Sequence, residues 1–82
     1  MKELIPTNGR KSFYSKAMID TTNEGEVLVS YGTRIILKKR NGELIPLANP
    51  YVISNTTATH IKSFCSITKP QYVKLYKQYN NV

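Results

Sequence analysis

The side chains best able to do chemistry in this chain are its one histidine and its one cysteine. An imidazole can act as a base, and a thiolate is both a nucleophile and a metal ligand. His60 and Cys65 are five residues apart in a segment with helical periodicity, so they fall on different faces of one helix. Cys65 is on the apolar face, where packing is expected. His60 is at the edge of that face, where we expect a hydrogen bond to the sheet or a loop. In a catalytic pair with His60, a nearby serine or threonine could replace Cys65 as the nucleophile.

The carboxylates of the chain give little support to catalysis. All five lie within residues 1–43, so no acid in the second half can orient His60 as a base. They are scattered, and neither a carboxylate pair nor a magnesium site is visible. A structural zinc site needs four Cys or His ligands, which the chain does not have. We therefore expect no enzyme activity, no metal and no cofactor.

The charge of the chain is strongly basic and unevenly distributed. The 82 residues carry 12 Lys+Arg and 5 Asp+Glu, a net charge of +7, and residues 44–82 hold four lysines and no acid. A field of one sign attracts polyanions, although lysines can also serve only to keep a small protein in solution. We predict a nucleic-acid partner bound through phosphates. The candidate binding residues are Arg10, Lys11, Lys38, Arg40, Lys69, Lys74 and Lys77.

The elements that must position these residues begin with strands. Residues 1–11 are predicted to be a flexible lead-in, and residues 12–82 to form a single α+β domain. Alternating and β-branched residues predict strands that end at residue 53, with a tight turn at Tyr31-Gly32. Asn41-Gly42 predicts a two-residue hairpin loop that places Arg40 opposite Glu43. The strands are expected at 12–20, 27–31, 34–40 and 43–47, the last at an edge because of Pro46, with a short extended piece at 51–53.

Two helices are predicted to follow, over 54–66 and 68–79. Ser54 or Asn55 can cap the first, and Thr68 with Gln71 has the spacing of a capping box at the second. Tyrosines recur at helical spacing in the second helix, and we expect them to pack rather than to stack on bases. The predicted fold is α+β, an antiparallel β-meander of three to five strands followed by one helix on the sheet and a second C-terminal helix.

Three segments resemble a family of small uncharacterised proteins of bacteriophages and mobile elements in Gram-positive bacteria. They are Ser12-Phe13-Tyr14-Ser15-Lys16-Ala17, Ser30-Tyr31-Gly32-Thr33, and Ser54 to Phe64 with its paired threonines and His-Ile. The resemblance covers roughly residues 12–65, and residues 66–82 form an additional basic tail. It implies a β-meander-plus-helix fold and a phage-like origin, and it implies no mechanism.

The leading hypothesis is therefore a small basic phage or mobile-element accessory protein that binds DNA or RNA. The alternatives are a protein inhibitor of a host enzyme or defence system, of the anti-restriction or anti-CRISPR type, and a structural homo-oligomer such as a homodimer. No apolar run approaches the ~20 residues of a membrane span, so no membrane partner is expected. The first six residues have no signal-peptide pattern. Together with the phage resemblance, the lack of a membrane span and of a signal-peptide pattern leads us to expect the protein in the host bacterial cytoplasm.

Overall fold

The computed structural model describes residues 2–4 and 16–80 and has an α+β fold. Five antiparallel strands form one sheet in which each strand pairs with the next along the chain, as the meander prediction requires. The strands are β1 (Lys2–Glu3), β2 (Ala17–Thr21), β3 (Gly25–Ser30), β4 (Thr33–Lys39) and β5 (Leu44–Pro46). A 3₁₀ helix (Pro50–Val52) then leads to α1 (Asn55–Cys65) and α2 (Lys69–Asn80). Both helices were predicted, as was the edge position of β5.

The helices form a second layer on one face of the sheet. α1 packs on β3, and α2 packs on β5 and the 3₁₀ helix. The main core lies between the layers and includes Leu28, Ile36, Ile61, Phe64 and Tyr72. Alternation along the strands puts Val27, Val29 and Leu37 in a smaller cluster on the opposite face.

A β-bulge at Ile35 lets two consecutive residues face the main core. Leu28 pairs with Ile36 but Val29 pairs with Arg34, which leaves Ile35 as the extra residue in β4. Ile35 and Ile36 are both nearly fully buried in the same cluster. The Ile35 carbonyl accepts a hydrogen bond from the Leu47 backbone N–H at 2.8 Å, so the bulge also anchors the chain after β5.

The two hairpin turns of the central strands differ in how well they were predicted. Tyr31 and Gly32 both have positive φ, at 51° and 80°, which confirms the tight two-residue turn. The predicted two-residue loop at Asn41-Gly42 is wrong. Backbone hydrogen bonds of 2.8 and 2.9 Å join Lys39 to Glu43 and to Gly42, so the loop spans residues 40–42. Lys39, not Arg40, is opposite Glu43, because Gly42 with φ 90° closes a three-residue loop.

The N-terminal segment also differs from its prediction. Residues 2–4 were assigned to a lead-in, but Lys2–Glu3 pairs with β2, and the buried Leu4 donates to the Ala17 carbonyl at 2.9 Å. Its apolar side chain explains the pairing, because Leu4 joins the main core. The predicted first strand began at residue 12; residues 12–15 lie outside the described residues, and β2 begins at Ala17.

The segment before α1 is a 3₁₀ helix rather than the predicted extended piece. Asn49 Oδ1 accepts a hydrogen bond from the Tyr51 backbone N–H at 2.9 Å, and Pro50 occupies the first turn with its φ already fixed. α1 then begins after Ser54, whose Oγ accepts from the Thr57 N–H at 3.2 Å. In residues 2–4 and 16–80, no helix is long and apolar enough to cross a membrane.

Candidate functional site

Two of the predicted binding residues lie on the exposed surface of α2. Lys74 and Lys77 are exposed, and Lys69 is half-buried in the first turn. The Lys69 ammonium donates to the Ile53 carbonyl at 3.0 Å, which fixes its position and leaves two N–H donors for a ligand. α2 therefore presents one fixed and two free cations.

A groove of about 470 Å³ lies between α2 and the 3₁₀ helix. One face of α2 forms the first wall of this groove. It carries Lys69 and, four, seven and eight residues after it, Val73, Tyr76 and Lys77, a spacing that puts all four side chains on the same side of a helix. Tyr51 is 95% exposed and stands on the opposite wall. The groove is lined by Asn49, Pro50, Tyr51, Lys69, Val73, Tyr76 and Lys77, so it combines cations with aromatic rings.

Lys38 makes a contact with α1 that could not be predicted from the sequence. Its ammonium donates to the Phe64 carbonyl at 3.1 Å and lies 4.6 Å from the centroid of the Phe64 ring. A cation at the C-terminal end of α1 is stabilised by the free carbonyls there. The structure thus places the Lys38 ammonium against the C-terminal end of α1.

Arg40 is exposed in the loop between β4 and β5. The Tyr79 hydroxyl donates to Glu43 Oε2 at 2.8 Å and ties the last turn of α2 to this hairpin. That hydrogen bond to the carboxylate raises the pKa of Tyr79, because it favours the protonated phenol. Arg10 and Lys11 lie outside the described residues.

The structure brings a serine to the histidine. Ser30 Oγ at the end of β3 is 2.8 Å from His60 Nδ1 and 3.0 Å from Thr57 Oγ1. The three side chains are at most 5% exposed, so the network joins α1 to β3 beneath the surface. This agrees with the expected hydrogen bond from His60 to the sheet. Burial raises the pKa of Cys65, which keeps that thiol protonated at neutral pH.

Ser30 and Tyr51 were not identified as important from the sequence. Ser30 follows Leu28 by two residues, and a polar residue at a core-facing strand position is a signal for a buried hydrogen-bond partner. Tyr51 had no comparable signal, because exposure in a 3₁₀ turn depends on the tertiary path of the chain. In the described part of the chain, no three His, Cys, Asp or Glu side chains gather as a metal site requires.

We expect Ser30→Ala to lower the free energy of unfolding by about 1–3 kcal/mol, because the Thr57 hydroxyl and His60 Nδ1 lose a buried partner. Urea denaturation measures this change. Ser66→Ala is not a suitable control because Ser66 has φ 62°, so Thr56→Ala, at an exposed position of α1 outside this network, serves instead. Equal stability of Ser30→Ala and the wild type would contradict a stabilising network.

Fold and surface define a small α+β protein with a basic helical layer and a lysine–tyrosine groove. Residues 2–79 match the model of DUF8033, a family of unknown function, and the chain belongs to that family. No curated protein and no solved structure matches the chain.

Proposed function

We propose that this protein is a small phage or mobile-element accessory protein that binds nucleic acid through phosphate contacts in the host bacterial cytoplasm. The observation that carries the binding proposal is the charge of the helical layer. No acidic residue follows Glu43, and Lys62, Lys74 and Lys77 are exposed on the helices. The phage origin is supported by the resemblance of the Ser54 to Phe64 segment.

The described ion pairs belong to the sheet. Lys2 pairs with Glu26 at 3.7 Å, Arg34 with Asp20 at 3.2 Å, and Lys39 with Glu43 at 3.9 Å. These pairs offset the positive charge of the strands, whereas the helices have no acid of their own to offset theirs. A polyanion is therefore attracted to the helical layer most strongly.

Two charge-matched double variants test this proposal. Lys74→Gln/Lys77→Gln removes two cations from the helical layer, and Lys2→Gln/Lys39→Gln removes two that are paired in the sheet. We expect the first to weaken DNA binding about tenfold or more at low salt, and to reduce the slope of log K against log salt by ~1.8 if both lysines contact duplex phosphates. Fluorescence anisotropy across a salt series measures both quantities.

The sheet variant is expected to bind nearly as well as the wild type. Equal losses in the two variants would show that only net charge matters and would contradict a helical binding surface. A wild-type protein without measurable affinity for DNA or RNA at low salt would overturn the proposed function. Circular dichroism establishes that both variants are folded.

A protein-binding role is the second candidate, and an apolar surface near β5 favours it. Leu47, Tyr51 and Val52 are 44, 95 and 66% exposed, which suits a contact with a host enzyme or with a second copy of the chain. Capture of one host protein that resists nuclease treatment would favour this candidate, and sedimentation would detect the homodimer. In either role we propose binding without catalysis.

A further inference from the structure

Tyr51 lies in a 3₁₀ turn whose hydrogen bonds, made by its backbone and by Asn49, do not involve the Tyr51 ring. Its backbone N–H is fixed by Asn49 Oδ1, and the Val52 N–H donates to the Asn49 carbonyl at 3.0 Å. The following residue, Ile53, is 3% exposed and anchors the turn in the core. Packing of the Tyr51 ring does not explain its place in the fold, because the residue is 95% exposed.

Two lysines line the groove beside the Tyr51 ring, one held by a hydrogen bond and the other exposed. Lys69 is held by the Ile53 carbonyl, whereas Lys77 is exposed in the last turn of α2. Eight residues of helix separate them, or about 12 Å along the axis, so they suit different phosphates of one strand. Among the residues that the structure describes, no acidic side chain lines the groove.

We propose that this groove binds single-stranded nucleic acid, with a base stacked on Tyr51 and backbone phosphates on Lys69 and Lys77. The inference rests on the proposed function and adds the kind of nucleic acid bound. Proteins that bind single strands without sequence preference combine a positive groove with aromatic stacking platforms. A base within a duplex has its faces covered by its neighbours, so Tyr51 can stack only on an unpaired base or at a strand end.

The preorganised turn strengthens this assignment. Tyrosine has two side-chain torsions, and the backbone around Tyr51 is already fixed, so little conformational freedom is lost on binding. Tyr76 forms part of the groove wall and is half-buried, which leaves Tyr51 as the ring that projects from the described groove.

The test compares an unlabelled protein series against a fluorescent single-stranded oligothymidine and a blunt duplex of equal length at low salt. Tyr51→Ala is expected to lose single-strand affinity by about tenfold or more while duplex affinity changes less than twofold. Tyr51→Phe is expected to bind as the wild type, because stacking needs the ring and not the hydroxyl. Val52→Ala is the matched control, since Val52 is exposed in the same turn and does not line the groove.

Three results would overturn the inference. Unchanged single-strand affinity of Tyr51→Ala would exclude stacking while leaving the phosphate-binding proposal intact. Equal losses for single strand and duplex would exclude selectivity for single strands. A loss of single-strand affinity in Val52→Ala equal to that in Tyr51→Ala would exclude a specific stacking role of the Tyr51 ring. If the wild type binds neither oligonucleotide, the proposed function itself fails. This outcome is distinct from a failure of the stacking inference, because it is seen in the wild-type protein alone.

Discussion

Tyr72→Ala is expected to lower the free energy of unfolding by about 3–5 kcal/mol, because truncating a buried aromatic side chain leaves a cavity in the core. Tyr72 is fully buried, and it is the residue of α2 that enters the main core most deeply. A domain of this size is stable by roughly 4–12 kcal/mol, so the loss removes a large part of the total. Urea denaturation measures it.

The hydroxyl of Tyr72 makes a separate contribution. It lies 2.6 Å from the Ala48 carbonyl and 2.9 Å from the Ile35 carbonyl, and it accepts from the Ala48 N–H at 3.2 Å. Tyr72→Phe keeps the ring and is therefore expected to cost only about 1–3 kcal/mol. Equal stability of Tyr72→Phe and the wild type would contradict a role for the hydroxyl in joining α2 to the bulge.

Burial raises the pKa of Tyr72 to about 12 from the ordinary tyrosine value of 10.0, and this predicts an alkaline loss of stability. The unfolded chain ionises this phenol near pH 10, whereas the folded protein keeps its proton until about pH 12. The folded state thus binds more protons in that interval, so the free energy of unfolding falls as pH rises. Tyr72→Phe should show a smaller fall between pH 10 and 12, since the other groups titrate in both proteins.

Gly25→Ala is the second substitution with a large expected effect. A Cβ on Gly25 would overlap the Lys38 carbonyl oxygen and lie 2.8 Å from the Lys39 Cα, where β3 begins its pairing with β4. Gly25 also has φ 150°, a conformation that residues with side chains rarely adopt. Strain and overlap together are expected to cost about 3–5 kcal/mol, measured by urea denaturation.

Gly42→Ala separates these two causes. Gly42 has φ 90°, but a Cβ there would have no atom within 4 Å, so only the backbone strain of about 1–2 kcal/mol applies. A Gly25→Ala variant no less stable than Gly42→Ala would show that the close approach of β3 and β4 is not what requires glycine. If Gly25→Ala does not fold at all, the ordering of the two variants still agrees with the prediction.

Much of the fold could be predicted because its signals are local. Pro46 cannot donate to a ladder, Ser54 can cap a helix, and Tyr31-Gly32 allows positive φ, and each of these appeared where expected. The error at Asn41-Gly42 has a different origin. Two-residue and three-residue loops share the same glycine signal, and the choice depends on which residue of β4 pairs with Glu43.

The candidate site could be predicted only in part. The expectation that the α2 tyrosines pack inward holds fully only for Tyr72, because Tyr76 is half-buried beside Lys77 in the groove and Tyr79 is 44% exposed. The contact of Lys38 with Phe64 was not predicted, because it joins residues 26 positions apart. The groove beside Tyr51 was also missed, since it is created when the 3₁₀ helix and α2 meet and no local pattern encodes that meeting.

The separation of acids from the helical layer has a kinetic consequence. Every acidic side chain lies between Glu3 and Glu43, whereas the charged residues of α1 and α2 are all lysines, so positive charge is least offset in the helical layer. In the field of the proposed nucleic-acid partner, this uneven charge distribution experiences a torque that turns the helices toward the partner before any contact forms. Correct orientation is then selected during diffusion, and the encounter rate should fall with salt before the lifetime of the complex does.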